Sequence, residues 1–379
     1  MRIAIFYPYL EARGGAEKHA SKVAQHLSER NEILVYSVWK EEIGVPEWWE
    51  GLNIRRAWHP IRTPLLRRTI NELTFLIRNP TIEEDSDLII GFGPHGVTMA
   101  GYQDRIPTIG YFFHPWYTLY PRPIDRDPSP ISNLIFKKPP LSTFLKVLDR
   151  RKVNRVKELA ANSPIIAKMI RQIYRREAHI MMPGVDIVPL VEKNPCRDYI
   201  FIPTRVVYHK NLHTAVKALY ILRKRFSRDI DLIISGSIND PIYWSYIQEM
   251  IARLELGKYV RHIGFVPDEE LWSLYRNAVC HWFISYMEDF GLTALESLSQ
   301  ETPVIASNDG GARYTVIDGE TGYLVDPNDA HSFAEKTAYL LDNPDVREEM
   351  GKKGRRHVLR NFTWEKHFRE WDRLIERVT

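Results

Sequence analysis

Cysteine is nearly absent: Cys196 and Cys280 are the only two among 379 residues. They lie far apart in unlike contexts, which excludes a disulfide framework and offers no ligand spacing for zinc. Long apolar runs are missing as well, and nothing approaches the roughly 20 apolar residues that span a bilayer. Neither sign of charge dominates, since 52 Lys and Arg face 48 Asp and Glu for a net charge of +4. A global nucleic-acid footprint is therefore not indicated. There is no internal repeat and no low-complexity tract. Met1 to Pro8 lacks the long apolar segment and small-residue cleavage site of a signal peptide and reads as a first strand. Together these absences predict a cytoplasmic protein, with peripheral attachment to the inner face of a membrane left open. They leave the Asn361-Phe362-Thr363 sequon without a glycosylating compartment.

What the chain does have is ordinary globular material, 44% hydrophobic and 26% charged residues, arranged as short apolar strands alternating with amphipathic helices. The first series comprises Ile3 to Phe6, a helix from about Ala16, Ile33 to Ser37, Leu88 to Ile90 and Thr108 to Phe112. A polar, Pro-containing stretch over 187–197 separates it from a second series: Tyr199 to Ile202, Asp231 to Ser235, Val260 to Gly264, Val279 to Ile284, Pro303 to Ala306 and Gly322 to Val325. Such alternation predicts an α/β protein of two doubly wound, Rossmann-like parallel-sheet domains, residues 1–186 and 198–360, facing a cleft at the carboxyl ends of their strands. An aromatic and charged helix over Trp364 to Val378 is expected to pack back on the first domain.

The motifs fall on loops after predicted strands. Glu288-Asp-Phe-Gly-Leu-Thr-Ala-Leu-Glu296 sets two carboxylates around a turn into a helix. Amides of Phe290, Gly291 and Leu292 at a helix N-terminus suit a phosphate, and the glutamates suit hydroxyls. Gly14-Gly15-Ala16 opens the first helix and permits close backbone approach. Arg205 and Lys210 flank the loop after Ile202, a planar fork and a point charge that together fit a diphosphate. Ser235-Gly236-Ser237 and Gly264-Phe265-Val266-Pro267-Asp268 follow the next two strands; the first suits phosphates and the second a planar base, with Asp268 near the N-cap of the following helix. His114 sits on a loop after Phe112, where it can bond a reacting sugar. For each of these the alternative is a solvated loop, a helix start or surface charge. Gly91-Phe-Gly93-Pro-His-Gly96 satisfies G-x-G-x-x-G, but a proline interrupts the turn and no suitably placed acidic residue follows, so dinucleotide binding is not expected.

Taken in order, these residues resemble the family-4 glycosyltransferases of the GT-B fold, retaining enzymes that use nucleotide-diphosphate sugars. The resemblance is strongest from Tyr199 to Asp326, where the Glu288 to Glu296 segment is followed by Thr302-Pro-Val-Ile-Ala306, Gly310-Gly311 and Gly322-Tyr-Leu-Val. It implies that Glu288 holds donor-sugar hydroxyls, Glu296 the ribose, and Arg205 and Lys210 the diphosphate. It further implies that Gly14 and Gly15 border the donor, that Gly236 lies near the phosphates, that Phe265 and Val266 flank the base, and that His114 touches the transferred sugar. No metal and no cofactor are expected beyond the nucleotide-sugar substrate; the acceptor is a glycan or lipid-linked hydroxyl. Asp289 departs from the family, where glycine is common, and so does Pro203-Thr204 before Arg205.

Two rivals stay open. A sugar-nucleotide epimerase or hydrolase would change the donor without an acceptor, whereas a silent nucleotide-sugar-binding subunit at a membrane would not change it at all. Basic amphipathic segments at Ile61 to Arg78 (Arg62, Arg67 and Arg68 beside Leu65, Leu66 and Phe75) and at 137–157 suit anionic lipid or, equally, a solvated helix on its own domain. In the second, Leu141, Phe144, Leu145, Leu148, Val156 and Leu159 are expected on one helical face, amid Lys137, Lys138, Lys146, Arg150, Arg151, Lys152, Arg155 and Lys157.

Overall fold

A computed structural model describes residues 1–10, 14–38, 47–57, 73–80, 85–124, 135–194 and 197–379. Of the residues singled out above, Arg62, Leu65, Leu66, Arg67, Arg68 and Cys196 lie outside the described residues. The chain divides into two compact units, Met1–Pro183 with Glu365–Thr379, and Gly184–Trp364.

In the first unit β1 (Arg2–Phe6), α1 (Gly15–Ser28), β2 (Glu32–Ser37), β3 (Asn53–Arg56) and β4 (Leu88–Phe92) are followed by α2 (Gly93–Ala100), β5 (Thr108–Phe112), α3 (Leu141–Val153), β6 (Glu158–Ala161), α4 (Pro164–Tyr174) and β7 (His179–Ile180). The sheet is parallel with order β3-β2-β1-β4-β5-β6-β7. All five residues of β4 and of β5 are buried, as expected of strands covered by helices on both faces. Glycines let the helix α2 approach closely: a Cβ on Gly91 would lie 2.3 Å from the Gly96 carbonyl oxygen, and one on Gly96 would lie 2.4 Å from that of Phe6. The G-x-G-x-x-G run thus serves packing.

The second unit comprises β8 (Tyr199–Pro203), α5 (Leu212–Lys224), β9 (Asp231–Ser235), α6 (Pro241–Arg253), β10 (Val260–His262), α7 (Asp268–Asn277), β11 (Cys280–Phe283), α8 (Leu292–Ser299), β12 (Val304–Ser307), β13 (Gly322–Val325), α9 (Ala330–Asp342) and α10 (Pro344–Asn361). Its sheet is parallel too, with order β10-β9-β8-β11-β12-β13. The chain therefore winds outward from β8 in one direction, returns, and winds outward from β11 in the other. The β8/β11 boundary is the topological switch point, and the crevice beyond the carboxyl ends of such strands is where open α/β sheets take ligands.

The last helix, α11 (Trp364–Val378), shows how sequence spacing becomes packing. Trp371, Leu374, Ile375 and Val378 recur at helical intervals and are buried against Ile3, Ile5, Ile33 and Ile90 of the first unit's sheet. Truncating a fully buried Trp such as Trp371 costs about 3–5 kcal/mol.

Two expectations need correction. Val156 and Leu159 do not continue the apolar face of α3: the helix ends at Val153, and Leu159 lies in β6. The strand predicted over Val260 to Gly264 ends at His262, since Gly264 adopts φ +71°. As expected, Pro267 and Asp268 start α7, with Pro267 at the N-cap and Asp268 the first helical residue.

Candidate functional site

The switch point gathers the charged residues that the sequence singles out. The loop after β8 carries Arg205 and Lys210, and the loop after β11 carries Glu288. Lys210 Nζ donates to a Glu288 carboxylate oxygen, an ion pair across 78 positions of sequence in which both side chains are largely buried. Sequence reading gives the two residues separate tasks, one toward phosphate and one toward hydroxyls. The fold places the two side chains side by side.

Backbone bonds hold the two loops together. The Tyr286 amide donates to the His209 carbonyl at 2.8 Å. Asn211, fully buried in the left-handed region at φ 56°, donates through Nδ2 to the carbonyls of Ile284 (3.1 Å) and Pro327 (2.7 Å). Short polar side chains tolerate that backbone conformation better than most. Asn211 thus ends the Lys210 turn, starts α5 and ties the turn to the opposite loop.

The Glu288 turn is bracketed by two residues in the left-handed region, Met287 at φ 43° and Gly291 at φ 111°. Only the second is glycine, so Met287 carries backbone strain of the order of 1 kcal/mol or more, of a kind that collects at binding sites. The turn also rests directly on the backbone after β12. A Cβ on Gly311 would lie 2.3 Å from Phe290 Cα, one on Gly310 would lie 2.6 Å from the Glu288 amide nitrogen, and the Gly311 amide donates to the Glu288 carbonyl at 2.6 Å. The Met287 amide donates to Asp309 Oδ1 at 3.2 Å. Side chains at 310 and 311 would push the turn away, which explains the glycine pair physically.

Gly291 is the N-cap of α8, Leu292 its first residue, and Glu296 lies one turn further on. Phe290 is buried beside Phe362, with ring centroids 6.2 Å apart. Glu296 is not a solvated helix residue: Tyr275 Oη, at the end of α7, donates to its Oε2 at 2.8 Å. Tyr275 is fully buried, in edge contact with Phe201 and His281, and burial followed by the Glu296 charge pushes its hydroxyl pKa well up, so it stays a donor. Sequence reading missed Tyr275, as it missed Asn211's bridging role and Asp309.

The remaining predicted residues occupy neighbouring strand ends. Arg205 is exposed on the β8 loop. Gly236, at φ +129°, packs against that loop, where a Cβ would meet the Thr204 carbonyl oxygen at 2.2 Å. Its amide donates to the Gly264 carbonyl at 2.7 Å, which links the loops after β9 and β10. In the latter, Phe265 is 77% exposed, whereas Val266 is buried. In the first unit, Gly14 is the extended N-cap of α1 and Gly15 its first residue. His114 follows β5 half-buried, stacked on Tyr117 at 4.8 Å with Nδ1 2.7 Å from the Pro115 carbonyl oxygen.

A cavity of about 90 Å³ at the opposite, amino ends of β8 and β11 is lined by Lys193, Arg276, Glu301 and Arg347. Its Arg276 is engaged with Glu301 at 2.9 Å and with the carbonyls of Val191 and Gln300, which makes it a clamp for the linker and not part of the switch-point site.

Residues 191–357 match the family model described as glycosyl transferases group 1. The chain is 25% identical over 267 residues to the human alpha-1,3/1,6-mannosyltransferase ALG2, covering 62% of this chain and 64% of that one. It is 31% identical over 233 residues to the D-inositol 3-phosphate glycosyltransferase of Paenarthrobacter aurescens, covering 58% and 57%. It thus spans less than two thirds of either relative. Its fold is similar to that of the Anabaena protein Alr3699/HepE, solved in complex with UDP, with a TM-score of 0.75, 16% identity and full coverage of both chains. With both sheets parallel and covered by helices, the protein has the GT-B fold, and over residues 191–357 it is similar to the group 1 glycosyl transferases.

Proposed function

We propose that the protein is a retaining, metal-independent hexosyltransferase that moves a hexose from a nucleoside-diphosphate sugar to a hydroxyl of a glycan or lipid-linked acceptor. The observation that carries this reading is the Lys210–Glu288 pair at the switch point, with Glu296 held by Tyr275 one helical turn away. A cation beside one carboxylate and a second, oriented carboxylate nearby match the demands of a diphosphate flanked by two polyhydroxylated rings.

The chemical barrier is departure of the diphosphate from the anomeric carbon, so fixed positive charge at the leaving group contributes most. Lys210 and Arg205 neutralise that charge, and the amides around Phe290, Gly291 and Leu292 support it at the start of α8. Glu288 accepts from sugar hydroxyls and Glu296 from the ribose. The bond from the anomeric carbon to the diphosphate oxygen breaks while a bond to the acceptor oxygen forms on the same face. The acceptor proton passes to the departing phosphate oxygen, which gives net retention. Gly236, Phe265 and Val266 border phosphate and base, and Gly14, Gly15 and His114 remain proposed partners of the donor and the transferred sugar. Mannose from GDP-mannose is the first donor to test, supported by the mannosyltransferase relative. UDP-glucose is next, supported by the HepE structure solved with that molecule.

The test is a panel of nucleotide sugars screened by thermal shift, since a bound donor raises apparent stability, followed by product analysis with glycan and lipid-linked acceptors. Acceptor-dependent transfer with retained anomeric configuration, insensitive to a chelator, supports the reading. A changed sugar without acceptor would mean an epimerase or hydrolase. Lys210→Ala is expected to cut turnover by about 10²–10³ while folding survives.

A further inference from the structure

The helix α3 has an outward face that the donor site does not use. Leu141, Phe144 and Val147 are 42%, 57% and 40% exposed, although they sit in a helix whose other face is well buried. Around them residues 137–157 hold eight cations and a single carboxylate, Asp149. That carboxylate points inward: it is fully buried and accepts from Thr98 Oγ1 at 3.0 Å and Tyr120 Oη at 2.9 Å, which pins α3 against α2. Lys152, Arg155 and Lys157 are likewise turned to backbone carbonyls of their own unit. Lys138, Arg150 and Arg151 are exposed with the three apolar side chains. Among the described residues Lys138 and Arg151 make no ion pair.

We propose that this face of α3 is a docking surface for an anionic lipid bilayer. A merely solvated helix face gains nothing from an exposed Phe flanked by Leu and Val, and an acid-free ring of cations around them is complementary to anionic headgroups. Aliphatic side chains such as Leu141 and Val147 match the acyl boundary of a bilayer and have no counterpart in the phosphate backbone of a nucleic acid. The helix is far too short to span, and no helix among the described residues is long and apolar enough to cross a membrane. The geometry therefore fits a helix lying in the interface. This inference is independent of the donor chemistry, because it rests on a different unit of the chain and on none of the switch-point residues.

The test is co-sedimentation of the full chain with vesicles of phosphatidylcholine alone or mixed with phosphatidylglycerol, at low and high salt, without nucleotide. Wild type is expected to bind the anionic vesicles at least tenfold more tightly than the neutral ones and to weaken with salt. Phe144→Ser and the double variant Lys138→Glu, Arg151→Glu are each expected to lose at least tenfold, with unchanged melting temperature and unchanged nucleotide binding. Absence of binding to anionic vesicles would overturn the proposal. So would binding that the charge variant abolishes and Phe144→Ser leaves intact, with a polyanion such as RNA competing fully, because that pattern describes a purely ionic surface.

Discussion

Tyr275 donates a 2.8 Å hydrogen bond to Glu296 from a fully buried position on a different helix. The carboxylate is thereby fixed in direction, one oxygen taken by the tyrosine and the group aimed by it. Tyr275 is a positioning residue in this account, acting on ligand only through Glu296.

Tyr275→Phe is accordingly expected to fold, because the ring packing on Phe201 and His281 is kept, and to weaken nucleoside-diphosphate affinity about three- to tenfold, less than the roughly 1.5–3 kcal/mol of a direct bond to a charged group because Tyr275 acts only through Glu296. A general loosening would weaken ribo- and 2′-deoxyribonucleotides alike. Loss of Glu296 orientation narrows the difference between them, and calorimetry with both forms separates the two outcomes.

The glycine pair after β12 gives a stability test. Gly311→Ala places a Cβ 2.3 Å from Phe290 Cα, backbone against backbone, so the Glu288 turn must move. The expected cost is about 1–3 kcal/mol, seen as a lower denaturation midpoint, together with weaker donor binding. Gly319→Ala is a control with open space around the Cβ, although at φ +75° it carries its own conformational penalty.

Much of this architecture is legible in the sequence. Thr108 to Phe112, Asp231 to Ser235, Gly322 to Val325 and the helix Trp364 to Val378 match the structure residue for residue, because buried parallel strands read as apolar runs and α11 has a clean helical stripe. The strands that sequence reading misses are Asn53–Arg56, Glu158–Ala161 and His179–Ile180. The first and last are polar edge strands without an apolar run, and in the second Leu159 mimics the next turn of α3. At the site, residue type and strand-end position mark Lys210, Glu288 and Glu296. Their partnerships are not legible: Lys210 meets Glu288 only because β8 and β11 are neighbours in the sheet, and Tyr275 reaches Glu296 from a separate helix.

Acid stability carries a signature of the first unit's core. The His19 and His367 imidazoles lie 2.7 Å apart between α1 and α11, and Trp371 Nε1 donates to His367 Nε2 at 3.0 Å. Burial holds the pKa of His367 down at about 3, and burial with the His367 ring beside it holds His19 well below its usual value. The unfolded chain takes up these protons near pH 6.5 and the folded chain only at much lower pH, so their contribution is fully present above pH 6.5 and is lost as pH falls below it. Asp149, raised by burial to about 6, acts oppositely below that pH, so a variant is a cleaner probe than the wild-type curve alone. His367→Gln is expected to melt less steeply with falling pH between pH 7 and pH 5 than wild type, by a few degrees; parallel curves would remove the histidine pair from the account.

The central claim is that the β8/β11 switch point binds the nucleoside diphosphate through Lys210 and Glu296. Calorimetric titration of GDP and UDP into wild type, Lys210→Ala and Glu296→Ala tests it most directly. Wild type is expected to bind at least one of the two, and each variant to bind it about tenfold or more weakly, equivalent to roughly 1.4 kcal/mol, with a cooperative melting transition retained in the absence of nucleotide. Equal affinity in all three proteins would contradict it.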